Sequence, residues 1–207
     1  MSDLLTEILS PKPVSFKVGL YFGSFNPIHI GHMAIANYMV EFTGIDQLWF
    51  VVSPHNPHKT KENLLDDYQR LELVTRAIDG DNRFRASNIE FGLPKPSYTI
   101  NTLTHLHEKF PNHKFSIIIG SDNLDSFNKW KNYEMILGEY GIMVYPRPGF
   151  NESAAIQHAN ISIVQNTPLM EISSSFIRES MKAGKDVRHF IPQKAWEYID
   201  EMNFYRR

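Results

Sequence analysis

Residues 22–32 read Phe-Gly-Ser-Phe-Asn-Pro-Ile-His-Ile-Gly-His, and their reading decides the fold. The apolar run Val18–Phe22 ahead of them predicts a buried strand, and Met33–Phe42 after them predicts a helix. His29 and His32 therefore fall where a strand hands over to a helix N-terminus. Backbone N–H groups and the positive end of the helix dipole face an anion at such a place. Two imidazoles added there suit a phosphate that gains negative charge during reaction. Gly31 lets the backbone approach a ligand, and Pro27 fixes the turn. The competing readings are one capping and one core histidine, or the start of a zinc site. No H-E-x-x-H and no cysteine supports the latter, so no residue is assigned to a metal.

Working outward, strand-like segments recur at Leu48–Val52, Phe84–Ile89, Phe115–Ile119, Gly141–Tyr145 and Ile161–Val164. They alternate with helix-like segments at Asp66–Ile78, Thr99–Phe110, Trp130–Leu137, Ser174–Lys182 and Gln193–Asn203. Gly44, Gly80, Pro111, Gly138 and Gly184 are expected helix stops. Such alternation predicts an α/β, doubly wound, mostly parallel sheet, in which ligands bind beyond the carboxyl ends of the strands. The histidine segment lies at one such end. Neither G-x-G-x-x-G after the first strand nor G-x-x-x-x-G-K-[ST] occurs, which argues against a dinucleotide-dependent dehydrogenase and a P-loop enzyme.

The 207 residues suit one domain over 17–207 behind an N-terminal extension, 1–16, that carries Pro11 and Pro13. A net charge of −2 gives no global argument for nucleic acid or an acidic membrane surface. Zero cysteines exclude disulfides and thiolate chemistry. With no long apolar run and no signal-like start, a cytoplasmic enzyme is expected, its oligomeric state left open.

Ile172-Ser-Ser-Ser-Phe-Ile-Arg178 gives a second anion signal. Ser173 and Ser174 bring hydroxyls to a helix start, and Arg178 falls on the same face as Ser174 and Ser175. Plain N-capping with a surface arginine is the rival reading. Ser53-Pro-His-Asn-Pro-His-Lys59 also follows a strand; Lys59 meets phosphates there or the loop is an ordered connector. At the opening of a helix, Ser97, Tyr98 and Thr99 offer donors for a carboxylate or ribose, or simply a cap. Asp122 follows the Ile-rich strand as a ribose acceptor or a cap. Trp130 stacks on an aromatic ring or packs, and Arg147 faces the site or a surface turn. The stripe Leu71, Val74, Ile78 reads as core.

Together these segments resemble the bacterial nicotinate-nucleotide adenylyltransferases of the nucleotidylyltransferase superfamily. The resemblance runs from about Lys17 to Asn203 through Gly23–His32, Asn56-Pro-His-Lys59, Ser97–Leu103, Gly120-Ser-Asp122, Trp130, Arg147-Pro-Gly149 and Ile172–Arg178. It implies a Rossmann-like fold and transfer of AMP from ATP, with Mg²⁺, to nicotinate mononucleotide without a covalent intermediate. By that likeness His29, His32 and Arg178 act on the transferring phosphate, and Gly23, Ser24 and Phe25 line the nucleotide site. Lys59, Ile172, Ser173 and Ser174 would join them around ATP. Ser97, Tyr98 and Thr99 would receive the nicotinate carboxylate, Trp130 would stack on the pyridine, and Asp122 and Arg147 would contact the mononucleotide. Its partners are then small molecules, with no nucleic acid and no membrane.

Asn26 stands where many relatives carry Asp, and Asn56 replaces a frequent Pro. Without a charge, Asn26 is not assigned general-base work. A class I tRNA synthetase is excluded by the missing Lys-Met-Ser-Lys-Ser segment and the length. Phosphopantetheine adenylyltransferases usually carry Thr at the position of His29, and cytidylyltransferases carry a different last motif. The amidated nucleotide as substrate, a nucleotide-binding regulatory module and a histidine-ligated metal hydrolase are the remaining alternatives.

Overall fold

The computed structural model describes residues 15–54, 64–149 and 158–206. Six parallel strands form one sheet: β1 (Phe16–Gly23), β2 (Gln47–Val52), β3 (Phe84–Ser87), β4 (His113–Gly120), β5 (Gly141–Tyr145) and β6 (Ile161–Ile163). Their order is β3-β2-β1-β4-β5-β6. In register, Leu20 of β1 faces Trp49 of β2 on one side and Ile117 of β4 on the other. The chain winds outward from β1 in one direction and from β4 in the other. Loops leaving the carboxyl ends of these two central neighbours part, and the crevice between them is where such sheets bind ligands.

Seven helices cover the faces among the described residues: α1 (Ile30–Phe42), α2 (Asp67–Ala77), α3 (Thr99–Lys109), α4 (Ser121–Leu124), α5 (Tyr133–Glu139), α6 (Ser174–Lys182) and α7 (Gln193–Glu201). Alternation along the strands sorts the core in two. Tyr21, Phe50, Val52 and Ile118 pack with α1, α2, α6 and α7, while Leu20, Val51, Ile117 and Ile119 pack with α3 and α5. Gly19 keeps one face close: a Cβ there would lie 2.6 Å from Ile45 Cδ1 and 2.7 Å from Ile118 Cδ1. No helix among the described residues is long and apolar enough to cross a membrane.

Four expectations shift. Strand β1 takes up Phe16, the last residue assigned to the extension. The β3 segment ends at Ser87, and Ile89–Gly92 turns into a 3₁₀ helix. The helix expected from Trp130 begins at Tyr133, because Asn132 adopts φ 54°, a left-handed conformation that asparagine tolerates. Gly138 lies inside α5 rather than after it. Gly44, Gly80 and Gly184, by contrast, take φ of 71°, 89° and 72° and terminate their helices as expected.

Candidate active site

The turn after β1 shapes the site. Phe25 is buried at φ 44°, a region that costs a bulky L-residue energy, and its ring meets Tyr21, His32 and Phe50 edge-on. Only a glycine fits at Gly23, because a Cβ there would lie 2.8 Å from the Phe25 ring. Asn26 is 3% exposed. Its side-chain oxygen accepts from Leu65 N–H (3.3 Å) and Tyr205 O–H (2.6 Å), so it holds the turn rather than serving as a base.

The histidines follow directly. His29 is the N-cap of α1 and His32 lies in its first turn, their rings stacked with centroids 3.7 Å apart. The backbone N–H of His29 donates to His32 Nδ1 at 3.2 Å, which leaves the ring proton of His32 on Nε2. His29 Nδ1 is buried with no partner among the described residues. Gly31 leaves room for that ring: a Cβ there would stand 3.0 Å from His29 Cε1 and Nδ1.

Burial, followed by the Arg147 charge, lowers the His29 pKa to about 4. Burial, then His29 and Arg147, pushes His32 well below the ordinary histidine value. Both rings are therefore held neutral at pH 7.

This neutrality sets a pH dependence. Between pH 6.5 and about 4 the unfolded chain protonates His29 and the folded chain resists, so stability falls as pH falls through that window. At pH 5 the loss from His29 is about 2 kcal/mol, or roughly 4–8 °C in Tm. His29→Asn should therefore lose that much less stability than wild type between pH 7.5 and 5, read by thermal melts. An identical drop in both proteins would contradict the assignment.

The second motif meets the first. Ser173 caps α6, its hydroxyl accepting from Phe176 N–H at 3.2 Å. Ser174 Oγ donates to Pro27 C=O at 2.9 Å, and Arg178 Nη1 donates to Asn26 C=O at 2.8 Å. Two elements some 150 residues apart are thus bolted together beside the histidines, and α6 combines capping with a place in the site.

Two cavities open here. The larger, about 760 Å³, is lined by Gly23, Ser24, Phe25, His32, Trp130 and Arg178 among others. The smaller, about 140 Å³, lies among His29, Gly31, His32, Ile172, Ser173 and Ser174. Tyr21, His32, Arg147 and Ser174 belong to both, so they form the junction. No carboxylate lines either cavity among the described residues, although the chain as a whole carries net charge −2.

The remaining sequence candidates divide. Arg147 is at the junction, its Nε 3.4 Å from Asp122 Oδ1 and its backbone N–H bonded to Ser121 Oγ at 2.9 Å. Asp122 itself is absent from both linings, and its neighbour Asn123 takes that place. Ser97, Tyr98 and Thr99 do not line either cavity. They connect to the Trp130 loop through Lys131, whose Nζ sits 4.2 Å from the Tyr98 ring centroid, and Ser97 Oγ is buried without a partner among the described residues. Lys59, with His55, Asn56 and His58, lies outside the described residues.

Sequence reasoning missed a buried arginine. Arg70 of α2 is 0% exposed; its guanidinium donates to the carbonyls of Ser24 (2.7 Å), Ser53 (2.8 Å) and Leu65 (3.1 Å) and to Asp67 (2.5 Å). It ties the turn after β1 to the loop after β2. The buried stripe of α2 is Arg70, Leu73 and Val74, with Leu71 only partly buried. Its spacing on the buried face was the available signal. Glu90, 3% exposed, makes a similar tie by accepting from Thr102 Oγ1 at 2.8 Å, and burial raises its pKa.

A parallel six-stranded sheet with a phosphate-suited crevice at its switch point defines a nucleotide-handling α/β protein, and the cytidylyltransferase-like family model matches residues 20–180. The chain is 53% identical over 193 residues to the "Probable nicotinate-nucleotide adenylyltransferase" of Flavobacterium psychrophilum, covering 92% of this chain and 100% of that one. It is 49% identical to the protein of the same name from Bacteroides fragilis, covering 88% and 90%. The chain belongs to the nicotinate-nucleotide adenylyltransferase family. The fold matches that of the Plasmodium falciparum nicotinic acid mononucleotide adenylyltransferase complexed with NaAD, at TM-score 0.72 and 19% identity over 91% of this chain and 97% of that one.

Proposed function

We infer that this chain transfers the adenylyl group of ATP to nicotinate mononucleotide, yielding deamido-NAD and pyrophosphate. The observation that carries this is the pair of cavities, lined by no carboxylate among the described residues, joined at Tyr21, His32, Arg147 and Ser174 in a member of that family. A phosphate oxygen of the mononucleotide forms a bond to the α-phosphorus of ATP. The bond from that phosphorus to its bridging oxygen toward the β-phosphate breaks, and pyrophosphate leaves with the electron pair. The nucleophile is already anionic, so no general base is required, and positioning with charge stabilisation supplies the catalysis.

In this reading His32 donates from Nε2 to the reacting phosphate, and His29 shapes the smaller cavity. Ser173, Ser174 and Arg178 face the polyphosphate from α6, with Lys59 reaching it from the next loop. Gly23, Ser24 and Phe25 present backbone to the nucleotide. Trp130 stacks on the pyridine, Arg147 and Asp122 contact the mononucleotide, and Ser97–Thr99 receive its carboxylate. The Ser97 hydroxyl, without a partner among the described residues, and the adjacent Lys131 support donors, which suit an acid; an amide would need an acceptor. Mg²⁺ would arrive on the phosphate oxygens of ATP and neutralise part of their charge. The described residues hold no group of three His, Asp or Glu side chains that would cage it independently.

The test is pyrophosphate release from ATP with nicotinate mononucleotide and with its amide, compared as kcat/KM. Release with the acid preferred is expected; no release, or preference for the amide, overturns the reading. Trp130→Ala should raise KM for the mononucleotide about tenfold, since stacking is worth roughly 1–3 kcal/mol, while KM for ATP stays nearly unchanged. Equal effects on both would remove Trp130 from the pyridine site.

A further inference from the structure

Two buried tyrosines at the junction have more donors than the protein has acceptors for them. Tyr21 of β1 and Tyr145 at the end of β5 are each 5% exposed, with their hydroxyl oxygens 3.5 Å apart. Arg147 Nη2 donates to Tyr145 Oη at 2.9 Å, so one acceptor position on that oxygen is taken by a cation. Each hydroxyl carries one proton, and a contact between the two accommodates at most one of them. At 3.5 Å that contact is at the limit of hydrogen bonding. Among the described residues, no other acceptor is bonded to either hydroxyl. At least one O–H is therefore surplus, inside a site whose walls include no carboxylate among the described residues.

The lining residues say which one. Tyr145 borders the larger cavity only, whereas Tyr21 borders both, together with His32, Arg147 and Ser174. In the arrangement where Arg147 donates to Tyr145 and Tyr145 donates to Tyr21, the free proton is that of Tyr21, the hydroxyl bordering both cavities. The Tyr21 ring packs edge-on to His32 at a centroid distance of 6.0 Å, which places it beside the neutral histidine donor. Burial also raises the pKa of Tyr21, keeping that proton in place at neutral pH.

We propose that Tyr21 is a further substrate-contacting residue, its hydroxyl donating to a non-bridging phosphate oxygen of the nucleotide at the junction, with Tyr145 and Arg147 polarising it from behind. This rests on the junction being the phosphate site of the proposed reaction. It gives a polar role to a strand residue that otherwise counts as core.

The experiment is calorimetric binding of ATP to wild type, Tyr21→Phe and Tyr145→Phe, which needs no turnover. Phenylalanine preserves the ring contacts with Phe25, Phe50 and His32, so melting temperatures should hold. Tyr21→Phe should weaken ATP binding about tenfold, as expected for a lost hydrogen bond to a charged group. Tyr145→Phe should weaken it less, since Tyr21 keeps its proton. Placing 3-fluorotyrosine at position 21, which strengthens the donor without removing it, should tighten binding. Unchanged ATP affinity in Tyr21→Phe, or an effect of Tyr145→Phe as large, would overturn the proposal. Failure of wild type to release pyrophosphate from ATP and nicotinate mononucleotide would instead sink the reaction, so the two outcomes are separable.

Discussion

His32→Ala should lower kcat by on the order of 10²-fold or more while changing substrate affinity far less. His32 is held neutral by burial, and its Nδ1 is occupied by the His29 backbone N–H at 3.2 Å. One atom, Nε2–H, is left to serve the junction of the cavities. A preorganised donor aimed at developing charge acts mainly in the transition state, so its loss appears in kcat rather than KM. The lost acceptor for the His29 N–H adds a small stability cost, about 1 kcal/mol. Steady-state kinetics with both substrates varied gives the check. An unchanged kcat would remove His32 from the mechanism.

The second large effect is expected far from any histidine. Arg70→Met should destabilise the protein by about 3–5 kcal/mol, because it strips the donor from three carbonyls and breaks a charge pair with the partly buried Asp67. For a chain of this size that is roughly 6–20 °C in Tm. Measured well below its melting point, the variant should also lose kcat/KM, since Ser24 and Ser53 would no longer be held in register at the mouth of the larger cavity. Arg70→Lys keeps the charge but not the fork of donors and should fall between the two. A Tm within 2 °C of wild type, or a cold enzyme with full activity, would contradict the positioning role.

What the chain disclosed before its coordinates follows from which residues leave a periodic trace. The isoleucines of β4 marked a strand, and all six strands of the sheet fall on segments that read as strand-like. The histidine pair and the Ser173–Arg178 turn were legible because polar residues at element boundaries stand out against the pattern. Their convergence was implied by the family resemblance, and the bonds of Ser174 to Pro27 and Arg178 to Asn26 supply its geometry. Arg70 was hidden because an arginine in a helix ordinarily faces water; beyond its spacing on the buried face, its bonds to Ser24, Ser53, Leu65 and Asp67 reveal otherwise. Tyr21 and Tyr145 were hidden for the opposite reason: tyrosine in a strand looks like core, and a surplus hydroxyl proton has no sequence signature. The helix after Trp130 starts three residues late because a single left-handed Asn132 decides it, and local propensity alone does not settle such a choice.

One structure tests the central claim most directly: the complex with a non-hydrolysable ATP analogue. A single triphosphate should lie within hydrogen-bonding reach of His32 Nε2 on one side and the Arg178 guanidinium on the other, with its α-phosphate at the junction. A nucleotide that touches the histidines and leaves Arg178 without a phosphate contact, or the reverse, would contradict the account.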